Sequence, residues 1–335
     1  MTEENMENME NMEPTIDRNT TLAELSARAV INEDSVTFPS ARSPDRDRFV
    51  DSDGVRIAVH EWGDPEAKPL LLAHGGLDFS RTFDVFAPLL AAGGWRVVSW
   101  DHRSHGDSEW GAMTNWSSDA RDAFHVLNSI DGPFAGQPLP YVGHSKGGAM
   151  SLRLAEALPH RLSKIVNIDG MPSKRSSPDI SDTERTRMLG SDLSGWLDNR
   201  RRSATGQRKP GTIVELAKRR ALMNPRLTPE WLAYLATVGA RHDADGWRWK
   251  IDPMLRPGGF GPWRPEWLLQ TLVGIPMPFL GFLCTESEPM GWITKPSDLA
   301  PYMPRYGRVE LIESGHFIHI ERPGLVAEMV LEFLE

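Results

Sequence analysis

From Phe49 onward the chain alternates between two hydrophobic periods. "RFVDSDGVRIAVHEWG" carries two short runs of alternating polarity around Asp53-Gly54, the signature of a β-hairpin. "PLLLAHGG" is an unbroken apolar run closed by glycines, the pattern of a strand covered on both faces. Helix and strand then alternate. "RTFDVFAPLLAAG" reads as helix, "WRVVSWD" as strand, "SSDARDAFHVLNSI" as helix, "LPYVGHS" as strand, "GGAMSLRLAEALP" as helix and "LSKIVNIDG" as strand. This alternation predicts an α/β protein built on a mostly parallel sheet with helices on both faces.

The rhythm stops at residue 171. Up to about residue 270 charge, proline and tryptophan dominate, with helical patches at "GTIVELAKRRALM" and "PEWLAYLATVG". Two strands then return, "PMPFLGFLCT" and "RVELIE", and "GLVAEMVLEFL" closes the chain as a helix. The predicted organisation is a tail and connector over 1–47, a core in two parts over 48–170 and 271–335, and a helical insertion over 171–270. The repeated "MEN" triplet buries too little apolar surface to offset its ordering entropy, which predicts disorder to about residue 18. "TLAELSARAV" predicts a short amphipathic helix before the proline- and charge-rich connector.

Composition changes this picture only by exclusion. The formal charge is -9, yet residues 1–13 hold five glutamates and no base, so much of the acidity sits in the tail. Such a balance argues against nucleic acid as a partner. No apolar run reaches the roughly 18 residues that a membrane span needs. The acidic N-terminus does not resemble a signal peptide, and the single cysteine, Cys284, excludes an intrachain disulfide. The expectation is a cytoplasmic protein with a small-molecule substrate.

The chemistry concentrates at strand ends. Gly143-His144-Ser145-Lys146-Gly147 joins a strand to a helix, the setting of a nucleophile elbow that exposes a serine hydroxyl at a helix N-terminus. A serine needs a base. His316, in "LIESGHFIHIERPG", follows a strand and a Ser314-Gly315 turn and so falls at the same sheet edge. The base needs an orienting acid, and Glu286, Glu288 and Asp169 all stand at strand ends in the required chain order. Oxyanion donors are backbone N–H groups: Lys146 after the serine, and Gly76 or Leu77 in "HGGL". His74 then holds the loop.

With "HGG" at 74–76, "DHRSHGDS" at 101–108, "GHSKGG" at 143–148 and "SGHFIHIERP" at 314–323, the chain resembles the α/β-hydrolase superfamily in its lid-bearing branch. The resemblance implies an eight-stranded, mostly parallel sheet with a helical lid, Ser145 as nucleophile and His316 as general base. It implies that Asp101 to Ser108 brace the site. The late-strand acid pattern places Glu288 at the acid position, with Thr285 where a glycine is usual. Asp169 matches the alternative acid position. Glu288 is therefore the favoured acid and Asp169 the alternative.

Epoxide hydrolases and haloalkane dehalogenases of this fold attack with aspartate, where this chain has Ser145, and the insertion holds only Tyr234 of the tyrosine pair that epoxide hydrolases use. The expected reaction is acyl transfer from an ester, lactone or thioester of a small to medium apolar molecule, with no cofactor and no metal. Carbon–carbon bond hydrolysis or cofactor-free peracid formation would use the same triad, and a binding scaffold without turnover is the third reading. His242 with Asp243 and Asp245 reads as a solvated loop. Trp231 and Trp247 are the candidate apolar substrate contacts. The basic runs "NRRRS", "QRKP" and "AKRR" read as solvated helical faces, and the Lys146 ammonium would favour anionic groups near the site.

Overall fold

The computed structural model describes residues 16–32, 35–172, 182–203, 206–255, 267–289 and 294–335. Twelve strands are described: β1 Val30–Ile31, β2 Val36–Thr37, β3 Arg46–Asp51, β4 Arg56–Trp62, β5 Lys68–Ala73, β6 Trp95–Trp100, β7 Leu139–His144, β8 Leu162–Ile168, β9 Ala240–Asp243, β10 Gly246–Trp249, β11 Phe279–Cys284 and β12 Gly307–Ile312. Eight of them form one sheet in the order β12-β11-β8-β7-β5-β6-β4-β3. β4 runs antiparallel to both of its neighbours, β3 and β6, and the pairs from β6 to β12 are all parallel. Asp53 and Gly54 both take positive φ, 50° and 83°, which matches the twist of the β3–β4 hairpin.

The central strands explain their own apolar runs. All six residues of β7 are buried, and β5 is buried after its first residue, because helices cover both faces. On one face the helices Trp116–Asn128, Lys146–Ala157 and Trp267–Val273 pack through Val126, Met150, Leu152 and Leu272. On the other, Phe86–Ala92 and Pro323–Leu334 pack through Phe86, Leu90, Val326 and Val330. Parallel order brings the C-terminal ends of β5, β7, β8, β11 and β12 to one edge. That edge carries the residues after Ala73, His144, Ile168, Cys284 and Ile312.

The insertion builds its own apolar cluster over that edge, with Ile213, Leu216, Trp231, Leu232 and Leu235 from the helices Ile213–Ala221 and Pro229–Gly239. It is not wholly helical. Between the helices and the return to the sheet lies the β9–β10 hairpin, where Arg248 bridges Asp243 and Asp245. The connector also differs from expectation. The helix forms at Leu22–Ser26, with Thr21 and Glu24 making a reciprocal cap, and Leu22, Leu25, Val36 and Phe38 are buried in the cap cluster. Ser26 Oγ lies 2.6 Å from Thr228 Oγ1 of the cap. Residues 16–32 and 35–45 thus form a packed strap rather than a loose linker, because the cap leaves an apolar face that the strap covers. The expected disorder of the first residues concerns positions of which 1–15 lie outside the described residues.

Candidate active site

Ser145 stands between β7 and the helix Lys146–Ala157 with φ 51° and ψ -116°. A non-glycine residue holds that conformation only when its surroundings over-determine it. Here the neighbours do so by proximity. A Cβ at Gly147 would lie 2.3 Å from the carbonyl oxygen of Ala73, and one at Gly143 would lie 2.4 Å from the Gly147 carbonyl. The Ser145 N–H donates to the Ile168 carbonyl at 2.9 Å, tying the elbow to β8. Gly147→Ala is expected to lower Tm by about 3–10 °C through overpacking against β5, read by calorimetry. An unchanged Tm would mean the contact is slack.

His316 lies across the same edge. Its Nδ1 is 2.5 Å from Asp169 Oδ2, both side chains being almost wholly buried. Asp169 itself has φ 47°, which turns its carboxylate toward the histidine loop. Its other oxygen accepts the Cys284 N–H at 3.3 Å, and the Cys284 thiol donates to Oδ2 at 3.3 Å. Burial first, then the Asp169 carboxylate, hold that thiol well above its ordinary pKa.

Glu288, the acid favoured from sequence, is placed differently. Its Oε2 accepts the backbone N–H of His316 at 2.6 Å, and its Oε1 is buried without a hydrogen-bond partner. Burial raises its pKa, a shift that the His316 N–H opposes. The expectation that Glu288 orients the imidazole is therefore corrected. β8 and β11 are neighbours, so both acids reach the histidine loop, but only Asp169 meets the ring. Glu286 offers its carbonyl to the Cys284 thiol, and its N–H goes to Ser314 O. Glu321 accepts the Gly315 N–H at 2.9 Å and pairs with Arg226 of the cap.

His144 ties the Ser145 elbow to the His316 loop. Its Nε2 lies 3.0 Å from the His316 carbonyl oxygen, and the two rings are 4.7 Å apart. On the opposite side the loop after β5 passes close to Lys146, whose Cβ would be 3.8 Å from a Cβ at Gly76. Lys146 opens its helix, so its N–H has no intrahelical acceptor. Of the two candidates in "HGGL", Leu77 is excluded as a free donor, because its N–H points to His105 Nε2 at 3.2 Å. The Gly76 N–H has no acceptor among the described residues.

A search of known families matches residues 64–255, more than half of the chain, to the family described as Serine aminopeptidase, S33. The chain belongs to this family of α/β-hydrolases. It is 28% identical over 161 residues to the monoglyceride lipase of Mus musculus, covering 44% of this chain and 52% of that protein. Over 330 residues it is 24% identical to epoxide hydrolase A of Mycobacterium tuberculosis, covering 86% of this chain and 97% of that protein. The thioesterase domain from the curacin biosynthetic pathway shares the fold, with a TM-score of 0.71 at 24% identity over 86% of this chain and 99% of that one. The chain spans between 32% and 52% of the length of three curated relatives that it matches.

Around the candidate triad, this α/β-hydrolase packs a set of buried histidines. His74 Nε2 accepts the His102 N–H at 2.9 Å, and His102 Nε2 meets the His74 carbonyl. His105 donates from Nδ1 to the Arg103 carbonyl, which leaves Nε2 as the acceptor for Leu77. Burial is the first cause that depresses all three, His105 to about 3. The 101–108 loop is also tied to the loop after β5 through Asp101 Oδ1, which accepts the Ser80 N–H at 2.7 Å.

The remaining sequence candidates find other work. Lys146 Nζ is 2.7 Å from Asp119 Oδ2, so its charge is met inside the protein. Among the described residues the one cluster with metal-ligand spacing is His60, Asp101 and Asp107. Its groups are engaged already: His60 lies between Asp47 and Asp101, and Lys250 pairs with Asp107. Although burial opposes it, those two carboxylates raise His60 to about 9. Trp231, offered as a substrate contact, is fully buried against Phe38 and Tyr234 in the cap's own core, which removes it from a pocket wall. Trp247 packs against the same cluster and meets the His242 ring at a tilt of 50°, with backbone bonds to Gly211. The basic runs cap carbonyls: Arg208 binds the Ile251 and Asp252 oxygens, and Arg219 those of Lys209 and Pro210. Among the described residues no helix is long and apolar enough to cross a membrane.

Proposed function

We propose that the protein is a serine hydrolase that cleaves a carboxylic ester, lactone or thioester of a small to medium apolar molecule through an acyl-enzyme, with Ser145, His316 and Asp169 as the triad. The observation that carries this reading is the buried Asp169–His316 contact at the sheet edge where Ser145 is held in its strained turn. With Nδ1–H donated to Asp169, His316 keeps the Nε2 lone pair for the Ser145 proton. The serine oxygen attacks the carbonyl carbon, and the oxyanion is held by the N–H groups of Gly76 and Lys146, assisted by the helix N-terminus. His316 returns the proton to the leaving oxygen or sulfur. A water then repeats the sequence to free the acid and restore Ser145.

The monoglyceride lipase likeness favours an ester as the substrate bond. The epoxide hydrolase likeness does not carry over its chemistry to this chain. The nucleophile position holds serine, and the cap's Tyr234 donates its hydroxyl to the buried Asp84 at 2.5 Å. The test is labelling with a fluorophosphonate followed by mass spectrometry, beside turnover of p-nitrophenyl esters from acetate to palmitate. One phosphonyl adduct on Ser145, absent in Ser145→Ala, is expected together with ester turnover. Neither adduct nor turnover in the wild type would overturn the hydrolase reading.

A further inference from the structure

The oxyanion loop is held from two sides, and one of them is the cap. From the core come His102 on His74, His105 on Leu77 and Asp101 on Ser80. Between Leu77 and Ser80 the restraints come from the insertion. Arg220, in the helix Ile213–Ala221, places Nη2 2.8 Å from Asp78 Oδ1, with the two side chains 10% and 2% exposed. Its guanidinium lies over the rings of Phe79 and Trp249 at 5.8 and 5.3 Å. Gly239, at the end of the next cap helix, backs onto Phe79 so closely that a Cβ there would lie 2.1 Å from the ring.

We infer that Arg220 is a positioning residue for the oxyanion hole, acting through Asp78 on Gly76. This rests on the proposed serine-hydrolase reading. The physical argument has two parts. Asp78 is buried, and its Oδ2 already lacks a hydrogen-bond partner, so Arg220 is the charge that makes its burial tolerable. Without it the loop must move to hydrate the carboxylate, and Gly76 lies only two residues away. The second part is electrostatic. Consecutive Cα atoms are about 3.8 Å apart, so the Cα atoms of Asp78 and of the proposed oxyanion donor lie within about 8 Å of each other, and an unpaired Asp78 charge stands near that donor. A negative charge there opposes the negative charge that develops in the transition state. The arginine's planar group also lies over both rings, which pack against each other at 6.2 Å, a seat that a lysine ammonium fills less well.

The test measures the second-order rate of Ser145 phosphonylation and kcat for p-nitrophenyl acetate, the smallest acyl group, well below each variant's Tm. Arg220→Gln is expected to slow both by about 10- to 100-fold, as for a misplaced oxyanion donor, with little change in KM. Arg220→Gln combined with Asp78→Asn removes the stranded charge and is expected to recover to within a few-fold of wild type. A residue that only stabilised the cap would give no such rescue. Arg220→Lys keeps the charge without the planar fit and is expected to fold with a smaller, few-fold loss; it serves as the second variant if Arg220→Gln does not fold. Wild-type rates in Arg220→Gln, or a double variant no faster than the single, would overturn the inference while leaving the hydrolase reading intact. If Arg220→Gln does not fold, full wild-type rates in Arg220→Lys together with slow rates in the double variant would overturn it. A wild type that neither labels nor turns over would overturn both.

Discussion

Asp169→Asn is expected to lower kcat by about 10,000-fold, while Glu288→Gln lowers it by less than about tenfold. The two carboxylates touch the same residue, His316, but at different atoms. At Nδ1 the acceptor decides which ring nitrogen carries the proton. An asparagine amide can donate to Nδ1, which moves the ring proton to Nε2 and removes the lone pair that must accept the serine proton. Asparagine also tolerates the left-handed backbone that Asp169 adopts, so the fold is retained and the effect is chemical. At the main-chain N–H the acceptor only holds the loop. The glutamine side chain still offers an oxygen to that N–H and sheds a charge whose burial raises its pKa. Steady-state kinetics on an ester, with unchanged Tm as the control for folding, read the result. Equal losses in the two variants would mean that the acid role is shared, and a larger loss in Glu288→Gln would reverse the assignment.

The second large effect is on stability in acid. His74, His102, His105, His144 and His319 are buried, and burial is the first cause that pushes each below its ordinary pKa, His105 and His319 to about 3. The unfolded chain protonates each near pH 6.5, whereas the folded protein does not until much lower pH. Between those limits the unfolded state binds more protons. The contribution is therefore present above pH 6.5 and lost as pH falls below it, at about 1.4 kcal/mol per pH unit for each histidine.

His60 has the opposite sign. Its folded pKa is raised to about 9, so its contribution is full below 6.5 and is lost as pH rises through 9. It adds nothing further to resist acid below pH 6.5. For His105 and His319, held at about 3, the cost by pH 5 is about 2 kcal/mol each, and the lowered His74, His102 and His144 act in the same direction. A fall in Tm accompanied by proton uptake on unfolding is expected as pH drops from 6.5 to 5. Calorimetry from pH 8 to 5 measures it. A Tm that stays flat across that range would show that the histidines are protonated, or hydrated, in the folded state.

Several elements were legible because their signals are local. The glycines of "GHSKGG" mark a strand–helix turn, and the structure shows what they avoid: the Ala73 carbonyl against Gly147 and the Gly147 carbonyl against Gly143. The apolar runs of β5 and β7 follow from burial on both faces, as expected of central strands in a parallel sheet. The cap hairpin was not legible. "ARHDADGWRW" reads as charge and tryptophan, and its strands hold only because Arg248 gathers Asp243 and Asp245 while the tryptophans pack inward. The strap around Phe38 was equally hidden, since the face it covers belongs to helices almost two hundred residues away.

The sequence by itself determined the alternating core, the insertion, the turn that presents Ser145 and the loop that carries His316. Each is written in a short window as a hydrophobic period or a steric demand on a few adjacent residues. Tertiary structure alone decided between chemically equivalent groups: Asp169 rather than Glu288 at Nδ1, Gly76 rather than Leu77 as the free donor, and Trp231 as core rather than wall. Those choices depend on which strands are neighbours, on the positive φ that turns Asp169, and on His105 reaching back to take the Leu77 N–H. They are set by contacts between residues distant in the chain, and a local pattern holds no record of such contacts.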